Sequence, residues 1–334
     1  MSDFMRAWRF HTVGKLDSLS LDSVPQPELG PGEVLVRIEY AALNPADYYL
    51  ILGQYPRAGA PPFTVGRDGS GTVVRAPQGS RFHEGERVVL LGGLTGISKP
   101  GTLAEYAAIP EAWLAPLPEG WTAAEGAAAS LVFLTAWLAL VREGNLKDDE
   151  TLLVTGASGG VGTAAVILAK ALHARVVALS RSEEKRQRLA ALGADITLDS
   201  RSSNLEAALK EALGTQRVDL VVETLGGPYL QLAQRITGFK GRIMVVGLLA
   251  SFSAELTLGL LIHKCLRIQG LSVSSYLPEE AQDAWRQIVE LLNMHDTRPV
   301  VDRVFPFESL PEAFAYLQSG PFGKVLLSLG GNGS

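Results

Sequence analysis

Short apolar runs alternate with helical segments through the middle of the chain. Six of these runs predict buried strands, at residues 152–155, 175–180, 196–198, 218–223, 243–247 and 266–271. Most of the segments between them have the apolar spacing of helices, most clearly at 162–172 and 183–192. Near-continuous apolar strands joined by helices indicate a parallel sheet covered on both faces. The pattern therefore predicts the α/β class, with a doubly wound sheet of six strands.

The first third of the chain has a different pattern, rich in short strands. Candidate strands at 34–39, 69–74 and 87–90 are separated by glycine and proline turns, which predicts an irregular antiparallel sheet. Near residue 122 the pattern changes: Thr122 is predicted to cap a helix over 123–131, and a second helical stretch follows at 135–142.

The end of the chain, after Ser275, leaves the alternating pattern. Two amphipathic helices, at 278–294 and 310–318, lead to a closing strand at 324–329. Because no further strand–helix unit is available for it to join, this tail is predicted to return to the first, β-rich domain.

Composition excludes several classes of protein. A chain of 334 residues is long enough for two domains. The net charge is −5 and no run of Lys or Arg is long enough to follow a nucleic-acid backbone. No segment is expected to reach the apolar length that spans a bilayer. With Cys265 as the single cysteine and no secretory signal pattern, we predict a cytoplasmic protein without a nucleic-acid or membrane partner.

A glycine-rich turn between the first strand of the alternation and its helix carries the first chemical signal. The spacing Ala157-x-Gly159-x-x-Gly162 is a dinucleotide fingerprint with alanine in place of the first glycine. Glycines let the backbone approach a pyrophosphate, and the helix N-terminus offers it free N–H groups. We therefore predict that this turn binds a dinucleotide, through Ser158, Gly159, Gly160 and Val161.

The end of the second strand distinguishes the two nicotinamide cofactors. An NAD enzyme places Asp or Glu there to hold the ribose hydroxyls. This chain has Ser180 and Arg181, followed by Lys185, and a hydroxyl with cations suits a 2′-phosphate. The alternative is a solvated helix start, because Glu183 and Glu184 lie beside them. The pattern favours NADPH.

Several further motifs resemble those of one family. They are 41–47 (Ala-Ala-Leu-Asn-Pro-Ala-Asp), 53–56 (Gly-Gln-Tyr-Pro), 66–71 (Gly-Arg-Asp-Gly-Ser-Gly), 134–137 (Leu-Thr-Ala-Trp), 192–195 (Leu-Gly-Ala-Asp) and 323–325 (Gly-Lys-Val). Together with the glycine turn, they resemble the medium-chain dehydrogenase/reductase superfamily, and within it the zinc-free quinone oxidoreductase (zeta-crystallin-like) branch.

The resemblance implies a domain plan and an assembly. A GroES-like catalytic domain would comprise residues 1–122 and 275–334, beside a Rossmann NADPH-binding domain at 123–274, with the active site in the cleft. It also implies a homodimer formed by pairing the last strands of two cofactor sheets, around 267–271. Two departures are Ser200, where 2′-phosphate binders often have tyrosine, and Glu223 in place of Asp.

The resemblance also implies that catalytic zinc is absent. Zinc-dependent relatives have a Cys ligand at the place of Asn44 and a His ligand at the place of Arg67, whose guanidinium has no lone pair to offer. The segment 91–101 lacks the cysteines of a structural zinc lobe. His263 and Cys265 are close in sequence, but two groups cannot complete a zinc site.

Without a metal, the chemistry must suit acceptors that take hydride readily, such as quinones or conjugated enones. Tyr55 is the first candidate for proton source or oxyanion donor, and its alternative role is packing against the substrate. The resemblance adds residues facing the cofactor: Asn44, Tyr49 and Thr135 at the nicotinamide and its ribose, Gly247 and Leu248 through their backbone, and Phe322 and Lys324 on a closing loop, with Phe252 as a pocket wall. Asn44 and Thr135 join Tyr55 as candidate catalytic residues.

Three functions remain open at this point. The leading prediction is an NADPH-dependent quinone reductase. The first alternative is an NADPH-dependent enone, alkenal or enoyl-thioester reductase, since 261–270 resembles both groups and Arg57, Arg67 and Lys99 are too dispersed to define a basic patch. The second is a non-catalytic NADPH-binding protein, which the acidic composition disfavours as an RNA-binding component.

Overall fold

The protein is described from a computed structural model, which covers residues 3–55 and 58–330. Arg57, considered above for a basic patch, lies outside the described residues. The chain forms two compact units. Unit 1 contains the chain up to Leu131, Tyr276–Arg286 and the chain from Val301 onwards, and unit 2 contains Val132–Ser275 and Gln287–Val300.

The strands and helices follow in chain order. The strands are β1 (Phe4–Phe10), β2 (Leu19–Pro25), β3 (Glu33–Leu43), β4 (Gly69–Arg75), β5 (Arg87–Leu90), β6 (Tyr106–Pro110), β7 (Leu114–Pro116), β8 (Thr151–Val154), β9 (Arg175–Ser180), β10 (Ile196–Asp199), β11 (Val218–Glu223), β12 (Thr237–Val245), β13 (Arg267–Gly270), β14 (Val301–Pro306) and β15 (Lys324–Ser328). The helices of seven residues or more are α1 (Pro45–Ile51), α2 (Ala123–Trp137), α3 (Gly160–Ala171), α4 (Glu183–Ala191), α5 (Leu205–Leu213), α6 (Pro228–Ile236), α7 (Leu258–Lys264), α8 (Pro278–Met294) and α9 (Leu310–Gln318).

Unit 1 is built on a seven-stranded mixed sheet in the order β14-β15-β3-β4-β5-β7, with β6 also paired to β3. The predicted antiparallel pairing is confirmed for β3 with β4 and for β4 with β5. The closing strand β15 runs antiparallel to β3, with Val325 opposite Leu43, so the tail does return to this sheet. Apolar side chains from the first part of the chain and from its tail, such as Leu43 and Val325, pack in one buried core.

Unit 2 contains the predicted doubly wound sheet. Its six strands are parallel in the order β10-β9-β8-β11-β12-β13, which is the order of a dinucleotide-binding fold. From β8 the chain adds β9 and β10 on one side of the sheet and then β11, β12 and β13 on the other, so the order of the strands reverses between β8 and β11. At such a point the loops after neighbouring strands diverge and leave a crevice at their carboxyl ends.

The helix after Thr122 differs from its prediction. The cap is confirmed: the Glu125 amide donates to Thr122 Oγ1 at 3.2 Å, and the Thr122 amide donates to Glu125 Oε2 at 2.7 Å. The two predicted helices are wrong, because α2 is continuous and passes into a π-helical turn over Leu138–Arg142. Residues 132–134 are Val, Phe and Leu, which pack in the interior and provide no helix break.

The same segment corrects the expectation about membrane-spanning length. Ala123–Arg142 is 20 residues long with a mean hydropathy of 1.7, so it is long and apolar enough to cross a bilayer. However, 78% of its apolar window is buried inside the protein, as in the core helix of a globular fold. The cytoplasmic location stays a prediction.

The division between the units falls inside secondary structure. The first change of unit, after Leu131, lies within α2, and α8 is divided after Arg286. The described architecture thus places residues 287–300 with the cofactor-type sheet, although the sequence pattern had grouped the whole tail with the β-rich domain.

Candidate cofactor and substrate site

The glycine turn of unit 2 joins β8 to α3. The Thr163 amide donates to Gly159 O at 2.8 Å, whereas the amides of Gly160, Val161 and Gly162 belong to the first helical turn, which has no preceding helical carbonyls to accept from them. A Cβ on Gly162 would lie 2.5 Å from Gly156 O, so only glycine lets α3 start this close to the turn. Free amides and the positive end of a helix form an anion site of the kind a pyrophosphate occupies.

Glu223 fastens the loops at the strand ends beside this turn. Its carboxylate accepts from the Thr155 hydroxyl at 2.8 Å, from the Leu225 amide at 2.9 Å and from the Gly226 amide at 2.7 Å. Burial raises the pKa of Glu223, and these three donors oppose that rise. The carboxylate therefore connects the ends of β8 and β11 at the point where the chain reverses.

The loop after β12 lies against the same strand ends. The Val246 amide donates to Glu223 O at 2.8 Å, and a Cβ on Gly247 would lie 2.4 Å from Thr224 O. Leu248 and Phe252 follow as exposed apolar residues. The structure thus brings Gly247 and Leu248 to the same edge of the sheet as the glycine turn.

Ser180 and its neighbours lie at the end of β9. Ser180 is buried, and its hydroxyl is 3.4 Å from the hydroxyl of Ser158 in the glycine turn. Arg181 is exposed, and Ser182 caps α4 by accepting from the Lys185 amide at 3.4 Å. The residues predicted to hold a 2′-phosphate therefore lie next to those predicted to hold the pyrophosphate.

Arg201 is a cation at this edge that the sequence analysis did not single out. It follows β10, whose Asp199 is in register with Ser180, and its Nη2 donates to Arg181 O at 3.1 Å. The signal was available, because residues just beyond the ends of neighbouring parallel strands lie side by side. Asp199 also lies here, but its charge is offset by Arg186 at 3.8 Å and by Arg201 at 4.0 Å.

Unit 1 contains a buried group of charged residues, Asp47, Arg67, Asp68 and Lys324, which we call the ion cluster. Lys324 Nζ donates to Leu43 O at 3.1 Å, to Asn44 Oδ1 at 2.7 Å and to Asp68 Oδ2 at 3.0 Å. An ammonium has three N–H groups, so all of them have acceptors. The side chains of Lys324 and Asp68 are 4% and 0% exposed, which makes this a buried ion pair.

Asn44 is part of the same network. Its Oδ1 accepts from Lys324, and its Nδ2 donates to Ala42 O at 3.2 Å. Lys324 and Asn44 are therefore brought together as predicted site residues, but through contacts that stabilise unit 1. Their predicted contacts with cofactor stay a prediction.

Asp47 is the second buried carboxylate of the cluster. Its Oδ2 accepts from the Asn44 amide at 2.9 Å, and its Oδ1 has no hydrogen-bond partner within the described residues. Burial raises the pKa of Asp47 to about 6, against the lowering effects of the Asn44 amide and of the positive charges on Arg67 and Lys324. The sequence motif included Asp47 without indicating that it is buried.

Arg67 connects the cluster to Tyr55. Its Nη1 donates to the Tyr55 hydroxyl oxygen at 3.0 Å, and its guanidinium carbon lies 5.3 Å from the centre of the tyrosine ring. Arg67 is buried, whereas Tyr55 is partly exposed. The candidate proton donor is thus held by Arg67, the residue for which the resemblance implies a zinc-ligand position in zinc-dependent relatives.

The remaining predicted residues are divided between the units. Tyr49, on α1 of unit 1, has a ring 6.2 Å from that of Tyr48, and burial raises its pKa. Phe322 is buried in unit 1, before β15. Thr135 is half-buried on α2, in the part of that helix assigned to unit 2. Their contacts with a cofactor stay predictions.

The residues at the zinc positions do not suit a metal. Arg67 and Lys324 bring two positive charges to this part of unit 1, and Asn44 already bonds to Lys324. Within residues 3–55 and 58–330, no three His, Cys, Asp or Glu side chains are grouped to hold an ion. The donor set therefore does not fit a catalytic zinc.

Comparison with known proteins assigns the family. Residues 160–293 match the zinc-binding dehydrogenase family, and residues 30–119 match the alcohol dehydrogenase GroES-like domain. Rat quinone oxidoreductase is 30% identical over 331 residues, covering 97% of this chain and 98% of the rat protein. Mouse prostaglandin reductase-3 is 29% identical, covering 91% of this chain and 83% of its own.

Two solved structures superpose on nearly the whole chain, and they are of proteins with different nicotinamide cofactors. An NAD-dependent alcohol dehydrogenase superposes with a TM-score of 0.89 at 32% identity, covering 98% of this chain and all of its own. A mycobacterial protein complexed with NADPH has a TM-score of 0.88 at 25% identity, covering 97% and 99%. The chain therefore belongs to the medium-chain dehydrogenase/reductase superfamily, in its quinone oxidoreductase branch, and is an enzyme of the medium-chain reductase type.

Proposed function

We propose that the protein is a zinc-independent, NADPH-dependent reductase that delivers hydride to a quinone. The observation that carries the cofactor assignment is the end of β9, where Ser180 lies beside the glycine turn with Arg181 and Arg201 exposed around it. No carboxylate occupies the place of Ser180, where an NAD enzyme needs one. Bound NADPH would supply the hydride.

The roles of the two units follow from their residues. In unit 2, the amides at the start of α3 would hold the pyrophosphate, and Ser180, Arg181 and Lys185 the 2′-phosphate. In unit 1, Tyr55 would give a proton to the reduced acceptor, and Asn44 and Tyr49 would position the nicotinamide. Lys324 would act through Asn44, since its own donors are occupied.

Zinc independence is supported by the ion cluster. Among the described residues, Lys324, Arg67 and Asn44 leave no set of zinc ligands there. Elemental analysis of active protein tests this part, since stoichiometric zinc would contradict it.

The quinone assignment is supported by similarity to quinone oxidoreductases across nearly the whole chain. The similarity to a prostaglandin reductase supports reduction of conjugated enones as the second candidate. A steady-state panel of NADPH oxidation decides between them, with naphthoquinones, benzoquinones, small alkenals and a crotonyl thioester as acceptors. We expect the highest kcat/KM with a quinone; a higher value for an alkenal or the thioester would favour the second candidate, and no oxidation at all would contradict both.

A homodimer completes the proposal. β13 is an edge strand of the cofactor-type sheet, and the preceding helix α7 exposes Leu258 and Ile262 on its surface. An edge strand next to an exposed apolar face suits pairing with a second copy. Light scattering of the purified protein should give twice the chain mass of 35.7 kDa.

A further inference from the structure

Tyr55 and Arg67 form a pair whose hydrogen-bond direction has a chemical consequence. Arg67 is always a donor, because a guanidinium has no lone pair and keeps its protons in proteins. In the 3.0 Å contact the Tyr55 oxygen is therefore the acceptor. The phenol retains its own hydrogen for another partner.

That hydrogen has no partner inside the described protein. Across residues 3–55 and 58–330, the Tyr55 O–H donates no hydrogen bond. Tyr55 is also partly exposed, although the guanidinium beside it is buried. Arg67 therefore holds the hydroxyl oxygen in place, and the hydroxyl hydrogen stays available to a substrate.

The position of Arg67 is itself fixed. The guanidinium lies over the Tyr55 ring as well as on its hydroxyl, and it is close enough to buried Asp47 to lower the pKa of that carboxyl. A planar guanidinium that already lies over an aromatic face loses little freedom when it bonds to the hydroxyl of that ring.

We propose that Arg67 is a positioning residue for Tyr55: it directs the phenol O–H towards the substrate and stabilises the tyrosinate left after proton transfer. This inference rests on the proposed function. When hydride adds to one end of the acceptor, an electron pair moves to the carbonyl oxygen at the other. The O–H bond of Tyr55 then breaks, its proton goes to that oxygen or to the adjacent carbon, and the tyrosinate beside Arg67 regains a proton from water.

A double-mutant cycle in kcat tests the inference with wild type, Y55F, R67M and Y55F/R67M. If Arg67 acts through Tyr55, each single substitution lowers kcat by about tenfold or more, and the double variant loses little beyond the larger single loss. R67K should lose less than R67M, since it keeps the charge but not the fork. The dissociation constant for NADPH should stay within about twofold in all variants.

A control pair is available at β14, an edge strand of the unit 1 sheet. Arg303 lies 5.3 Å from the centre of the Tyr316 ring, the same distance as in the Arg67–Tyr55 pair, and is exposed. R303M removes a guanidinium from a tyrosine face outside the proposed site, so kcat should not change.

Two further readouts separate the possible failures. A solvent deuterium isotope effect on kcat should be present in wild type and absent in Y55F. In the cofactor-free proteins, the falls in Tm for Y55F and R67M should be less than additive in the double variant, which tests the pair without turnover. Multiplicative losses in kcat, or unchanged kcat in Y55F, would overturn the inference while quinone reduction by wild type still stood; an inactive wild type would overturn both.

Discussion

The strand-end loops of unit 2 and the ion cluster of unit 1 use charge in opposite ways. At the end of β9 the cations are at the surface: Arg201 has a side chain that is 67% exposed. In the ion cluster, Lys324 and Asp68 are almost completely buried and bond to each other. The first arrangement leaves charge for a ligand, whereas the second uses charge to fix the fold around Asn44 and Tyr55.

The two arrangements differ in the free energy of unfolding that is lost when one charge is removed. An exposed cation is screened by water and can move to meet a phosphate. A buried ion pair has lost its hydration, so removing one partner leaves the other without compensation. Four experiments test this contrast, and their expected effects decrease in turn.

Removing the buried ammonium should have the largest effect. K324M leaves Asp68 buried without its counter-ion and should cost about 3–5 kcal/mol in the free energy of unfolding. K170M is the matched control, because Lys170 pairs with Asp195 at 2.9 Å but both are partly exposed. That substitution should cost about 1 kcal/mol or less. Urea unfolding measures both, and equal costs would contradict the contrast.

Asp47 should make stability depend on pH. Its carboxyl has a pKa of about 6 in the folded protein against 3.8 unfolded, so the native state binds more protons between these values. The stability of wild type relative to D47N should therefore fall as pH rises from about 3 to about 7, by ~3 kcal/mol. Unfolding of both proteins across this range measures the difference, and a constant difference would contradict the account.

Asp195 provides a control of opposite sign. Although burial raises its pKa, the Val176 amide and Lys170 outweigh that effect and lower it. The contribution of Asp195 is therefore lost as pH falls through its folded pKa, and the stability of wild type relative to D195N should rise with pH over the acid range.

The glycine turn should tolerate no side chain at Gly162. In G162A the new Cβ would lie 2.5 Å from Gly156 O, which should cost about 1–3 kcal/mol of stability and weaken NADPH binding. G330A is the control, because a Cβ there meets nothing within 4 Å and the residue lies outside the proposed cofactor and dimer contacts. Thermal unfolding and cofactor titration should show a loss only for G162A; an intact G162A would mean that α3 can shift.

Arg201 should have the smallest and most selective effect. R201Q should weaken NADPH binding by about three- to tenfold, since an exposed contact to phosphate is worth up to about 1.4 kcal/mol. NADH, which lacks the 2′-phosphate, should bind as before. R286Q removes an equally exposed arginine from unit 1 and should change neither constant. Equal weakening of both cofactors in R201Q would exclude a role at the 2′-phosphate.

The same contrast explains what could be predicted from the sequence. The glycine turn and Ser180 are local signals, because a strand, a turn and a helix follow each other directly, and the six-stranded sheet was predicted from such repeats. The ion cluster joins Asp68 to Lys324 across 256 residues, and no local pattern reports that both become buried. Lys324 was predicted to contact the cofactor from its motif alone, and its buried ion pair with Asp68 was not foreseen.

Two smaller differences have related causes. The break predicted between residues 131 and 135 was wrong because an apolar stretch without Gly or Pro continues a helix unless packing prevents it. Arg201 was overlooked because its partners are reached across parallel strands and not along the chain.

The most direct test of the account is the pair of dissociation constants of the wild-type protein for NADPH and NADH, measured by fluorescence titration at one ionic strength. The exposed cations around Ser180 predict that NADPH binds more tightly, by about tenfold or more. Equal affinity, or tighter binding of NADH, would contradict the cofactor assignment and would align the protein with the NAD-dependent alcohol dehydrogenase that it resembles in structure.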